Sequence, residues 1–192
     1  MPTSVNKFIF FYRTPSPTIA SRLSRQVAKK DDSNTDKIIE NVLSRVNDDD
    51  IQLEIRHTPE KGRGIFALES FQKGDIILEY CGELISEREG LIREQAALSN
   101  PSTSPQMVSY LYFFKAQDKS WCLDATEETN RKGRLVNHSK LHPNVKPKVV
   151  IYNGRPRIVF IATCDITKGQ ELLFDYGERR REVIERNPWL KQ

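Results

Sequence analysis

The chain has 192 residues, with 30 Lys and Arg against 26 Asp and Glu, 38% apolar residues and 29% charged ones. At about 150 residues per domain this is one domain with a remainder, and no apolar stretch approaches the ~18 residues of a membrane helix, so no membrane association is expected. Cys81, Cys122 and Cys164 lie far apart, with no CxxC and no clustered His, which offers neither a disulfide framework nor a zinc cluster. The expectation is an intracellular protein with reduced thiols and no bound metal.

The net charge of +4 is unevenly spread. Lys7, Arg13, Arg22, Arg25, Lys29 and Lys30 fall in the first thirty residues, which hold no acid, and residues 31 to 50 then reverse the sign. Residues 1–33 are expected to be a disordered basic leader, although the same composition also matches a mitochondrial transit peptide. A weak, salt-sensitive contact with DNA phosphates is a further reading of those six charges.

Within residues 34–50, Ile38, Ile39, Val42, Leu43 and Val46 recur at helical spacing, with Asp36 near the N-terminus. This predicts an amphipathic N-flanking helix, either a partner-binding helix or a lid docked on the domain that follows. From residue 51 onward the texture changes to short β-rich runs, IQLEIRH, GIFALESF, DIILEY, SYLYFF, WCLDA, VVIY and RIVFIAT, which predict a mainly β domain with short helices. Asn153-Gly154 supplies the turn of a hairpin. One helical insert opens at Ser86 with Glu89 in capping-box spacing and ends before Pro101 and Pro105. The last sixteen residues predict a short C-terminal helix stopped before Pro188.

Three polar clusters stand out. Lys61-Gly62-Arg63-Gly64 precedes an apolar strand, either a plain turn or a loop that lets a ligand approach the backbone. Asn137-His138 lies in a polar run that by itself is a capping turn. Phe174 and Tyr176, in ELLFDYG, fall on one face of a strand, the usual pattern of core packing.

Taken in order, KGRGIFA, GDIILEYCGELI, YLYFF, WCLDAT, NRKGRLVNHS and DITKGQELLFDYG resemble the SET-domain lysine methyltransferases over residues 61–192. RLVNHS followed by ELLFDYG is a specific pair, and DATEETNRKGRLVNHSK with NPWLKQ is similar to the subfamily that methylates lysine 20 of histone H4 in nucleosomes. The resemblance implies a SET domain at 51–177, a β-clip-like fold whose FDYG segment threads beside NHS in a pseudoknot, and a cofactor-closing segment at 178–192. It implies S-adenosylmethionine as cofactor, contacted by Lys61, Gly62, Arg63, Tyr112, Asn137 and His138, with Trp189 stacked on the adenine. Tyr176 matches the catalytic tyrosine, and Tyr80, Tyr110 and Phe174 match the lysine channel. A histone H4 tail as substrate, a nuclear and chromosomal location and a monomeric state follow from the same likeness. The alternatives are a methyltransferase of a non-histone protein, which the transit-like leader would place in mitochondria, and a catalytically silent SET module that binds histone tails.

Such chemistry suits these residue types. Free lysine, with a pKa of about 10.4, is protonated at neutral pH, and burial among aromatic rings beside a sulfonium favours the neutral amine. A phenol of pKa about 10 is a poor general base, so Tyr176 reads as an orienting group. The chain departs from the subfamily at Phe174, where monomethylating members carry tyrosine; the missing hydroxyl enlarges the channel and suggests dimethylation. It departs also in the peptide groove, at Glu178 and Asn187, where relatives have Asp and His.

Overall fold

The computed structural model describes residues 32–49, 51–59, 61–99, 110–177, 179, 181–186 and 188–192. The leader through residue 31, together with Pro101, Pro105, Glu178 and Asn187, lies outside the described residues.

Among the described residues short strands dominate, arranged in four small sheets. β1 (Leu53–Thr58) pairs antiparallel with β2 (Gly62–Ala67), and Phe66 then bridges to Glu171 on its other side. β3 (Ile76–Glu79) begins a second sheet, ordered β3-β9-β8, with β8 spanning Val145–Tyr152 and β9 spanning Arg155–Ala162. A third is ordered β4-β6-β5, from β4 (Glu83–Ser86), β5 (Leu111–Ala116) and β6 (Lys119–Asp124). The fourth is a two-residue parallel pair, β7 (Asn137–His138) beside β10 (Leu173–Phe174).

The strands follow the expected runs, with differences at their edges. The predicted hairpin forms between β8 and β9, with Asn153 at φ 49° and Gly154 at φ 74°, the two positive values of a tight two-residue turn. The β5–β6 turn uses Gln117 and Asp118 at φ 52° and 57°, residues that carry no glycine signal. Gly62, Arg63 and Gly64 belong to β2 itself, not to a loop before it. Phe174 and Tyr176 do not share a strand, because β10 stops at Phe174.

The main core gathers Ile65, Leu78, Ile158, Phe160, Ile166, Leu172 and Phe174 from several sheets. A satellite cluster of Ile85, Leu111, Phe113 and Cys122 lies on the other face of the third sheet. Helix α2 (Glu87–Ser99) packs beside it and starts as expected: the Ser86 hydroxyl accepts the Glu89 N–H at 3.1 Å. The reciprocal half of the box is absent, since the Glu89 carboxylate instead takes Arg93 Nε at 3.1 Å.

Helix α1 (Asp32–Ser44) docks on the second sheet, placing Ile39, Val42 and Leu43 against Ile76, Val150, Tyr152, Val159 and Ile161. It therefore behaves as the lid and ends earlier than the apolar pattern predicts, leaving Val46 91% exposed. The cause is a capping arginine from elsewhere in the chain. Arg131, 8% exposed, donates to the carbonyls of Val42, at 3.3 Å, and of Arg45. These carbonyls are among the orphans of a helix C-terminus. The same guanidinium meets Glu79 Oε2 at 3.0 Å and Asp48 Oδ1 at 3.3 Å. Asp48, fully buried, also accepts the Lys132 N–H at 2.6 Å, and Glu79 pairs with Arg157.

A buried carboxylate stripped of its partner is strongly destabilising, whereas exposed pairs contribute little. Replacing Arg131 by Ala is expected to lower the unfolding free energy by about 3 kcal/mol or more. Replacing Arg56, which sits in an exposed pair with Glu54, should change it by less than about 1 kcal/mol. Denaturant titration of the two variants measures both.

Candidate active site

The site is built where β7 and β10 run side by side. Asn137 faces Leu173 and His138 faces Phe174 in the parallel register, and the Ser139 N–H reaches the Phe174 carbonyl at 3.1 Å. Two residues of parallel ladder are a weak structure alone, and side chains complete it. The Asn144 carboxamide accepts the Leu173 N–H at 2.8 Å and donates to the Glu171 carbonyl at 2.7 Å.

His138 is 7% exposed and joins three segments. Its Nδ1 accepts the Tyr176 N–H at 3.1 Å, so the hydrogen sits on Nε2 and is donated to the Leu190 carbonyl, also at 3.1 Å. Burial pushes this imidazole below its ordinary pKa, with the Leu190 carbonyl opposing the shift. The chain after the 3-10 turn Pro188–Lys191 is tied down again by the Lys140 N–H on the Gln192 carbonyl at 2.5 Å. Short helix α3 (Arg181–Arg186) precedes that turn, so the C-terminal segment folds back onto the NHS segment. Trp189 lies within the turn.

On one side of this junction lies a polar corner. The Asn137 amide nitrogen donates to Glu171 Oε1 at 2.6 Å and to the Arg63 carbonyl at 3.2 Å, and Lys61 Nζ lies 3.3 Å from Glu171 Oε2. Gly64 makes the approach possible: a Cβ there would lie 2.5 Å from Glu171 Oε1 and 2.7 Å from Asn137 Nδ2. Arg63 enters through its backbone, because its guanidinium is paired with Glu128.

On the other side is an aromatic cluster. Phe174 packs at a tilt, its ring 4.6 Å from that of Tyr176 and 4.8 Å from that of Phe160, and Tyr80 stands edge-on to Phe160 at 6.1 Å and 5.9 Å from Tyr112. Tyr176 and Tyr80 are almost fully buried, and their hydroxyls donate to the carbonyls of Val136 at 3.0 Å and Tyr110 at 3.1 Å. Burial, followed by the neighbouring tyrosines, pushes both phenols far above their ordinary pKa. Neither can serve as a base at neutral pH. Each hydroxyl hydrogen is committed to a carbonyl, so toward an incoming N–H the oxygen acts as an acceptor.

The structure thus brings Lys61, the Arg63 carbonyl and Asn137 together on one side, with Gly62 next to them in β2, and Tyr80, Tyr110, Phe174 and Tyr176 on the other, where the His138 ring lies 4.8 Å from that of Tyr176. Tyr112 sits among the rings, against Tyr80 and Phe114. Two residues that the motif reading passed over are central. Glu171 forms the polar corner, and Arg134, 9% exposed, lays its guanidinium 3.9 Å over the Tyr110 ring while Nε holds the Ala125 carbonyl at 2.8 Å. A buried arginine has no periodicity signature. Its position inside RLVNHS was the available hint.

Residues 62–177 match the SET domain. The chain belongs to the SET-domain family. Histone-lysine N-methyltransferase set-1 of Caenorhabditis elegans is 44% identical over 72% of this chain and 55% of its own length. N-lysine methyltransferase KMT5A-A of Danio rerio is 42% identical over 71% of this chain and 38% of its own. The crystal structure of CpSET8 from Cryptosporidium superimposes with a TM-score of 0.57 at 41% identity, covering 67% of this chain and 58% of that one. The chain therefore spans about half the length of the relatives it matches. The mainly β SET fold, with Asn137-His138 paired in parallel beside Leu173-Phe174, agrees with the fold that the resemblance implies.

The His138 environment has a pH consequence. The unfolded chain titrates this ring near 6.5 and the folded one lower, so the unfolded state binds more protons as the pH falls. Stability should be intact above about pH 7 and decline from about pH 6.5 down to the folded pKa, because a protonated Nδ1 would face the Tyr176 N–H. Unfolding midpoints measured from pH 7.5 to 5 check this, and His138→Asn should flatten that part of the curve.

Proposed function

We propose that the chain is an S-adenosylmethionine-dependent protein-lysine N-methyltransferase acting on lysine 20 of histone H4, and hence in the nucleus on chromatin. The observation that carries the reading is the adjacency, across one two-residue ladder, of a charged polar corner and a buried tyrosine-rich cluster. The relatives named for histone-lysine and N-lysine methylation, at over 40% identity, support it.

The polar corner fits the amino-acid end of the cofactor: Lys61 and Glu171 offer opposite charges, the Asn137 carboxamide lies between them, and Gly64 keeps the wall free of a Cβ. Lys61, Gly62, the Arg63 backbone, Asn137 and the His138 backbone would hold it, with Trp189 closing the adenine side. When bound, the cofactor supplies an electrophilic methyl group on a cationic sulfonium.

The chain's own residues do the rest by desolvation and alignment. Rings of Tyr80, Tyr110, Phe174 and Tyr176 would accept the lysine stem and strip water from its ammonium, which lowers that pKa and releases the proton to solvent. The Tyr176 and Tyr80 oxygens accept hydrogen bonds from the amine and turn its lone pair along the channel axis. Arg134 holds Tyr110 in place by cation–π contact. Neutral phenols, fixed by the Val136 and Tyr110 carbonyls, orient without taking the proton. Phe174 offers no hydroxyl to anchor a water near the nitrogen, and its channel therefore has room for an amine that already carries one methyl.

Incubating the full chain with labelled cofactor and either unmodified or monomethylated H4 peptide, followed by mass spectrometry, tests substrate and product together. Methyl transfer to the lysine is expected on both peptides, and Tyr176→Phe should lower kcat at least about tenfold with a smaller change in cofactor affinity. Phe174→Tyr should confine the product to monomethyl-lysine. Absence of turnover on the monomethylated peptide by the wild-type chain would refute the dimethyl assignment, and absence on every histone substrate would refute the H4 assignment.

A further inference from the structure

We propose that Glu171 is a positioning residue that sets the polarity of the cofactor's amino-acid subsite, a role that rests on the methyltransferase reading above. Glu171 is held from both sides by backbone: it bridges to Phe66 of β2, its carbonyl accepts Asn144 Nδ2 at 2.7 Å, and the next residue, Leu172, donates its N–H to the Ile65 carbonyl at 2.8 Å. Its carboxylate, with a side chain 14% exposed, lies in the corner between Asn137 and Lys61.

What it does there follows from donor and acceptor chemistry. A carboxamide is nearly symmetric in shape and can turn over with little steric change, so an asparagine alone does not specify whether it presents an oxygen or an NH₂ to a ligand. An ionised carboxylate only accepts hydrogen bonds. With Glu171 Oε1 at 2.6 Å and the Arg63 carbonyl at 3.2 Å, both acceptors face the same edge of Asn137. The nitrogen must lie on that edge, since the oxygen would meet two other oxygens. The Asn137 oxygen is thereby turned to the opposite side, the orientation that suits an ammonium.

The second carboxylate oxygen acts on Lys61, whose ammonium is donor-only and carries four flexible carbons. At 3.3 Å it draws that cation to the same corner. An α-amino acid presents an ammonium and a carboxylate side by side, and the corner then offers an acceptor for the first and a cation for the second. Glu171 arranges both without being required to touch either. A purely structural Glu171, tying β2 to the 170–172 segment, would not distinguish ligands by their amino-acid end.

That difference is measurable with the full chain by calorimetry, using two probes: S-adenosylhomocysteine, which has the amino-acid end, and 5′-methylthioadenosine, which lacks it. Glu171→Gln removes the charge that draws Lys61 and leaves the Arg63 carbonyl as the one obligate acceptor facing the Asn137 amide. It is expected to weaken S-adenosylhomocysteine about tenfold or more while changing methylthioadenosine by less than about twofold. Glu171→Asp, which keeps acceptor-only chemistry, should retain more of the S-adenosylhomocysteine affinity than Gln does despite its shorter reach. Equal losses for both probes in Glu171→Gln, or no loss for either, would overturn the positioning role. Failure of the wild-type chain to bind S-adenosylhomocysteine at all would overturn the methyltransferase reading and this role with it.

Discussion

Everything in the site depends on two short segments lying parallel, Asn137–His138 against Leu173–Phe174. Parallel pairing needs a long crossover connection and contributes little over two residues, so the pairing is held less by its own ladder than by side chains that reach across it. Asn144 completes the edge of β10, and the His138 ring receives the Tyr176 N–H and donates to Leu190. One neutral imidazole therefore fixes the tyrosine segment and the C-terminal segment to the same point. Because the ring must accept on one nitrogen and donate on the other, its tautomer and its charge are both specified by the fold.

The junction separates two environments with opposite requirements. The polar corner of Lys61, Asn137 and Glu171 keeps charge near solvent, where opposite signs a few ångströms apart hold each other in place. On the aromatic side the Tyr80 and Tyr176 phenols are buried, and each donates to a backbone carbonyl. On the methyltransferase reading proposed above, a charged corner and a dry one within a single ladder width suit transfer between a charged donor and an amine that has to lose its proton. Farther out, Arg131 binds the end of α1 to Glu79, the residue before Tyr80, and Gly133 allows the next turn to press on the Glu79 backbone. The N-flanking helix is consequently tied to the strand that leads into Tyr80 and the aromatic cluster.

Much of this was readable from local pattern. The β-rich runs, the Asn153-Gly154 hairpin, the Ser86 cap and the apolar face of α1 each follow from one residue or one period, and each formed. The misses share a different cause. The helix stops at Ser44 because Arg131, far along the chain, claims the Val42 and Arg45 carbonyls. The β5–β6 turn adopts positive φ on Gln117 and Asp118, where no glycine announces it. β7 and β10 are each two residues long, too short for any periodicity, and were visible only as motif. Glu171 stood inside those motifs, yet its role comes from partners distant in sequence: Lys61 lies 110 residues from it and Asn137 lies 34.

The most direct test of this account is native-state hydrogen exchange at the backbone amides of Ser139 and Tyr176, whose bonds join the two segments, and of Leu173, whose bond to Asn144 completes the edge of β10. If the parallel junction is as integral as described, these amides exchange as slowly as those of β9 in the main core, and they do so together, through the same unfolding event. Exchange of all three much faster than β9, with the core still protected, would mean that the junction opens on its own and would contradict the claim that the site is built upon it.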